Sequence, residues 1–183
     1  HEVGIRILIR RVQLIGAEHE KAMTPIFSYT DQHYYRLFFR CEKGREKVDE
    51  ILKEHKFLIY NKATLERKLV EDVFNTEASE KEWIYAGPIW AGQLWDAKLV
   101  EKMHEKNGHS EKELGSMLDI LISESKIKEV GIYKVPEVLR RLKCHASPKL
   151  DTIIARLEKK GFQAGRTILV GDGFRTNAPI KVI

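Results

Sequence analysis

Apolar residues along the chain change their spacing several times, and each change marks a new element. From His1 to Glu20 they recur at helical intervals. Ile5, Leu8, Ile9, Val12 and Ile15 share one face, with Arg6, Arg10 and Gln13 placed elsewhere, which predicts an amphipathic helix. Two strand segments follow. Thr24–Tyr29 carries Pro25 near its start, where strands tolerate it, and His33–Cys41 alternates Tyr35, Leu37, Phe39 and Cys41 against Tyr34, Arg36, Phe38 and Arg40. Both faces are apolar and aromatic, so the pair is expected to be well buried, with Cys41 packed inside and a turn at Thr30-Asp31-Gln32. Glu42-Lys43-Gly44 reads as a hinge. Beyond it the pattern predicts a helix over Arg45–His55, strands at Phe57–Tyr60 and Arg67–Phe74, and a polar loop over Asn75–Lys81.

The second half is dominated by helical periods. Trp83–Trp95, WIYAGPIWAGQLW, is dense in glycine and tryptophan, residues that let backbones approach closely and anchor a core. Asp96 is placed to cap a helix through Lys106. Ser110 and Glu113 have capping-box spacing for a helix to Glu124 with Leu114, Met117, Leu118 and Leu121 inward. A short strand at Val130–Tyr133 leads to a helix over Pro136–Lys143. Ser147, Pro148 and Gly161 then bracket a further helix with Leu150, Ile153, Ile154 and Leu157 on its apolar face. A strand over Phe162–Val170, a turn at Gly171-Asp172-Gly173 and a return from Phe174 complete a hairpin. Helix, short turn, helix, hairpin is the winged-helix order, so the fold expected is α/β and α+β with a winged-helix-like end.

Charge sharpens this picture. The chain of 183 residues carries a net charge of +5, but from Lys126 onward thirteen Lys/Arg face five Asp/Glu, and the remainder is slightly acidic. A basic end points to a polyanion partner. Lys149, Arg156, Lys159, Lys160, Arg166 and Arg175 line the predicted helix and hairpin and are the candidate polyanion-binding residues, which become candidate RNA-binding residues under the family resemblance given below. Set against this, long basic side chains also serve as solvated surface, and Arg166 and Arg175 have strand positions from which they could pair with acids such as Asp172 or Glu158. Trp83, Trp90 and Trp95 suit packing better than base stacking, given their apolar flanks.

Catalytic patterns are absent from the sequence. No GxGxxG follows a strand, no P-loop is present, and the seven histidines never form the paired helical spacing of a metalloprotease. Cys41 and Cys144 lack CxxC partners, which fits a reducing, cytoplasmic setting. No apolar run approaches the roughly 20 residues of a membrane span. The chain opens at His1 directly on a helical period, and three elements cannot bury two sheet faces, so the sequence reads as a fragment with further sequence upstream.

Four segments carry a family resemblance. HEVGIRILI at His1–Ile9, MTPIFSYTDQHYYRLFF at Met23–Phe39, AGPIWAGQLWD at Ala86–Asp96 and GFQAGRTILVGDGFRTNAP at Gly161–Pro179 occur in order over nearly the whole chain. Together they resemble the C-terminal part of the tRNA (guanine-N2)-dimethyltransferases that modify guanine 26, most like the archaeal members. The resemblance implies that residues 1–43 end a Rossmann-type, S-adenosylmethionine-dependent methyltransferase domain, and that residues 44–183 form a C-terminal tRNA-binding domain. It implies tRNA and the remaining methyltransferase domain in cis as partners, a monomer, and no membrane. It assigns no catalytic and no cofactor-binding residue to this chain, because those motifs lie upstream in the family. Members with cysteine pairs in the region of Phe57–Tyr85 suggest structural zinc, but that interval holds no cysteine here, so no zinc is expected. Ile168 stands where the family has a histidine after Arg-Thr, and no role is carried over to it. A winged-helix DNA-binding regulator and a non-catalytic interaction module are the alternatives.

Overall fold

Helix α1 (Glu2–Ala17) turns a mixed face inward rather than a purely apolar one. Ile5 and Ile9 are buried as expected. So are Arg6 and Gln13, while Leu8 and Ile15 remain exposed. Hydrogen bonding explains the rotation. Arg6 pairs with Glu2 one turn back at 2.9 Å and donates through Nη1 to the carbonyls of Trp90 and Gly92, each at 2.8 Å. Gln13 donates to the Met23 carbonyl at 3.1 Å. Buried polar groups are tolerated when satisfied in this way.

The computed structural model describes residues 1–31, 33–74, 82–108, 110–144 and 148–183. The expected loop over Asn75–Lys81, the cap at Ser147 and the end of the turn at Gln32 lie outside these residues. The chain is mixed α/β with small antiparallel sheets, and packs as two units, His1–Trp95 and Asp96–Ile183.

In the first unit, β1 (Lys21–Asp31) pairs antiparallel with β2 (Tyr34–Lys43), with a register shift between Pro25 and Phe27. The pair is not buried on both faces: Tyr34, Tyr35 and Phe38 are exposed, and so is Cys41. Helix α1 packs against the face that carries Met23 and Tyr35, and Tyr34 and Phe38 alternate to the other. Gly44 leads into α2 (Arg45–Lys53), so the expected hinge is a strand-to-helix junction inside this unit. Three strands, β3 (His55–Asn61), β4 (Arg67–Val70) and β5 (Trp83–Trp90), form an antiparallel sheet in the order β4-β3-β5. At Gly87 (φ 125°) an added Cβ would lie 2.9 Å from the Ile89 nitrogen and 3.1 Å from the Lys56 carbonyl oxygen. This is the close backbone approach that the glycine-rich segment implies. Trp90 and Trp95 are core residues, their indole N–H groups donating to the carbonyls of Gln93 (2.9 Å) and Ser28 (2.8 Å).

The second unit begins where Asp96 caps α3 (Ala97–Asn107) by accepting from the Leu99 amide at 3.2 Å. Helix α4 (Lys112–Glu124) starts at Glu111 rather than Ser110, and no capping-box bond forms there. Leu118 and Leu121 are fully buried on its inner face. The strand expected at Val130–Tyr133 is instead β6 (Tyr133–Lys134), followed by α5 (Val135–Arg141) and α6 (Leu150–Lys159). Strand β7 (Ala164–Arg166) is shorter than the Phe162–Val170 pattern predicts, because Thr167–Asp172 leaves the ladder before β8 (Gly173–Thr176). The sheet order is β6-β8-β7, antiparallel throughout.

Candidate nucleic-acid interface

Helix α6 sorts its residues cleanly. Leu157 is buried and Leu150, Ile153 and Ile154 are half-buried, while Lys149, Arg156, Lys159 and Lys160 are exposed. The helix stops at Gly161, whose φ of 86° favours glycine. The Phe162 amide donates to the Leu157 carbonyl and the Gly161 amide to that of Glu158, the two bonds of a Schellman ending. Three of the four cations therefore gather in the last turn and cap region, where they also complement the helix dipole.

Between α5, α6 and the last residues lies a cleft of about 610 Å³. Val138, Leu142, Ile153 and Leu157 form an aliphatic floor, and Arg156, Lys159 and Lys160 stand along its edge. Lys160 Nζ donates to the Val182 carbonyl at 3.3 Å, which ties that edge to the end of the chain. Arg140 of α5 and Lys143 just beyond its end, both exposed, add positive charge. The apolar positions of that helix do not point to them; the run Arg140-Arg141-Leu142-Lys143 is the sequence signal that does.

The two strand arginines part company. Arg166 is partly exposed and donates to Asp151 Oδ1 at 2.8 Å. This hydrogen bond holds the Asp151 carboxyl below its ordinary range. Arg175 is removed from the candidate surface: it is 1% exposed and paired with Glu124, not Asp172 or Glu158. A guanidinium in that position has no reach to a polyanion. Trp83 is half-buried with Lys68 Nζ 5.3 Å from its ring centroid, and Trp90 and Trp95 belong to the core.

Among the described residues no group of three or more His, Cys, Asp or Glu side chains comes together in a way that could hold a metal ion. His104 pairs with Asp119 at 2.9 Å on the surface, and His109 lies outside the described residues. The chemistry the second unit offers is charge: exposed cations along an aliphatic cleft, of the kind that can meet phosphates.

A family model described as N2,N2-dimethylguanosine tRNA methyltransferase matches residues 1–183. A tRNA (guanine(26)-N(2)/guanine(27)-N(2))-dimethyltransferase of Aquifex aeolicus (strain VF5) is 36% identical over 190 residues, covering 100% of this chain and 47% of that protein. A tRNA (guanine(26)-N(2))-dimethyltransferase of Methanobrevibacter smithii is 34% identical over 193 residues, covering 100% of this chain and 49% of its own length. A solved structure of Trm1 from Pyrococcus horikoshii in complex with S-adenosyl-L-methionine is similar with a TM-score of 0.84 and 30% identity, covering 100% of this chain and 48% of that one. The chain thus spans about half the length of the curated relatives it matches.

Proposed function

The chain belongs to the N2,N2-dimethylguanosine tRNA methyltransferase family, and on that footing we propose that it is the tRNA-gripping part of an S-adenosylmethionine-dependent tRNA guanine-N2 methyltransferase acting at guanine 26. The carrying observation is the row Lys149, Arg156, Lys159 and Lys160, exposed along one side of α6. Arg166, shared with Asp151, stands at its margin. Extruding a guanine from folded RNA costs a few kcal/mol, which contacts away from the reacting base must offset. Phosphate contacts do this without reading sequence.

In this reading α1 and the β1–β2 hairpin are the last helix and strand pair of a Rossmann-type sheet. The order α4, β6, α5, α6, β7, β8, with β8 central in its sheet, supports a winged-helix arrangement for the end of the chain. The functional division at residues 43 and 44 is part of the proposal, as are a monomeric state and a cytoplasmic setting; among the described residues no helix is long and apolar enough to cross a membrane.

The α5–α6 cleft has an aliphatic floor and a cationic edge, and no carboxylate lines it to hold ribose hydroxyls. The proposal assigns the cofactor and the methyl transfer to the part of the relatives' length that this chain does not span, and no catalytic step is routed through residues named here.

The test is equilibrium binding of the chain to unmodified tRNA and to duplex DNA of equal length across a salt series. Tighter binding to tRNA, with affinity falling by several powers of salt concentration, is the expected result. Equal binding to both, or preference for a DNA palindrome, would overturn it in favour of a DNA-binding regulator; binding to neither would favour an interaction module.

A further inference from the structure

Exposed large apolar side chains gather in the first unit, from Ile7 to Tyr85, and in the reading above the sheet of that unit continues into chain not spanned here. The second unit differs. Among its described residues Leu142 is the one large apolar side chain that stands exposed, at 50%, and it belongs to the floor of the α5–α6 cleft. The volume of about 610 Å³ falls in the range of about 300–1,000 Å³ common to sites that take a small, mostly apolar group. Along one edge Thr152, Arg156 and Lys160 follow at intervals of four residues, a single stripe on α6 and its cap. Among the described residues none of Arg140, Lys143, Arg156, Lys159 and Lys160 forms an ion pair, and no acidic side chain lines the cleft. Lys160 donates to the Val182 carbonyl, which leaves two of its three N–H groups to other acceptors.

We propose that the cleft seats one unpaired base of the tRNA, other than the reacting guanine, while Arg156, Lys159 and Lys160 hold the phosphates that flank it. It rests on the tRNA reading above. A nucleotide joins the two chemistries found side by side here: a base, which apolar side chains hold by its faces, and a charged backbone, which stays at the edge. The Thr152 hydroxyl both donates and accepts, so it meets any base edge and imposes no sequence code. An apolar segment of another protein would have to desolvate uncompensated cations in order to cover the cleft, whereas a nucleotide brings the opposite charge with it. The charge pattern therefore favours RNA.

The experiment uses the 183-residue chain with unmodified tRNA and three RNA hairpins: one fully paired, one with a single-uridine bulge, and one with an abasic site in place of that uridine. Binding is followed by fluorescence anisotropy. The abasic probe keeps the phosphates of the bulge and lacks only the base, so this comparison needs no variant protein. The uridine bulge is expected to bind at least about fivefold more tightly than the other two hairpins, the low end of base stacking because aliphatic walls replace rings. Leu142→Gln, at an exposed position, brings the uridine bulge to the level of the abasic probe. Lys159→Ala weakens all the RNAs by a similar factor and keeps the preference for the base. Equal affinity of the parent for bulged and abasic probes, or an undiminished preference in Leu142→Gln, overturns the base site while tRNA binding through α6 stands. An acidic amphipathic peptide that binds the parent but not Leu142→Gln, with no preference among the hairpins, marks the cleft as a protein groove and also overturns it. A parent chain that binds no RNA removes the tRNA reading and the base site with it.

Discussion

Glu124 and Arg175, 51 residues apart, form a buried ion pair in which Arg175 Nε and Nη2 both donate to Glu124 Oε1, at 3.2 and 3.1 Å. Neither side chain is more than 1% exposed. The other Glu124 oxygen accepts from the Ile168 amide at 3.1 Å, and Arg175 Nη1 donates to the carbonyls of Glu129 (2.6 Å) and Gly131 (3.4 Å). One guanidinium and one carboxylate thereby join the end of α4, the segment before β6, the loop before β8, and β8 itself.

Breaking this pair from one side leaves a charge with nowhere to go. Arg175→Ala is expected to destabilise the second unit by about 3–5 kcal/mol, the usual cost of an orphaned buried charge. Replacing both partners by Arg175→Met with Glu124→Leu should recover most of that loss. Guanidinium denaturation followed by circular dichroism at 222 nm measures both, because all three tryptophans lie in the first unit and do not report on the second. The folded fraction of Arg175→Ala should keep the parent's salt dependence of tRNA binding. A reduced slope would return Arg175 to the RNA contacts.

His55 supplies a pH dependence. Gln13 uses its amide N–H₂ on the Met23 carbonyl, so its oxygen, 2.8 Å away, faces His55 Nε2, which must carry the proton and donate. Burial, reinforced by the positive charge of Arg10, pushes the imidazole pKa down to about 4. The folded chain thus resists protonation that the unfolded chain accepts near pH 6.5, and stability falls as pH drops from about 6.5 to about 4. The side chain is only half-buried, so solvent screening reduces the loss to about 1–2 kcal/mol. Tryptophan-detected denaturation midpoints at pH 7.5 and 5 should differ accordingly in the parent and converge in His55→Gln.

Much of this was legible in the chain, for identifiable reasons. Helices with a single apolar stripe and strong end signals, such as α6 between Pro148 and Gly161, follow from local physics alone. The four ordered motifs also carried the family. What misled was chemistry between distant residues. Nothing near Arg6 in sequence says that the carbonyls of Trp90 and Gly92 wait for it, and nothing near Arg175 announces Glu124. For both arginines a surface position was the natural expectation, and both are buried.

Gly87 and Gly161 separate two uses of glycine. At Gly87 the atoms that a methyl group would meet are all backbone, belonging to Ile89, Lys56 and Phe57, and none can swing aside. Gly87→Ala is expected to cost about 2–3 kcal/mol, combining strain at positive φ with forced movement of β3. At Gly161 nothing lies within 4 Å of the added carbon, so only the conformational penalty of about 1 kcal/mol remains. Denaturation midpoints, read by tryptophan fluorescence for the first and by circular dichroism for the second, give the comparison. Equal losses would mean that backbone crowding at β5 relaxes freely.

Asp151 tests whether the basic row is functional or merely solvated. Its carboxylate occupies Arg166 at 2.8 Å and contributes negative charge two residues from Lys149. The pair is exposed and screened by solvent, so its loss should leave stability nearly unchanged. Asp151→Asn removes one negative charge and loosens the hold on Arg166. If phosphates lie along α6, tRNA affinity rises several-fold at low salt and the log–log salt slope steepens by about one counterion. Lys159→Ala and Lys160→Ala each move the slope the other way by a similar amount. The three variants together fix the sign: opposite shifts for the acid and the lysines place the RNA backbone on this helix, whereas three unchanged slopes would leave the cations as complements of the α6 dipole and remove them from the binding surface.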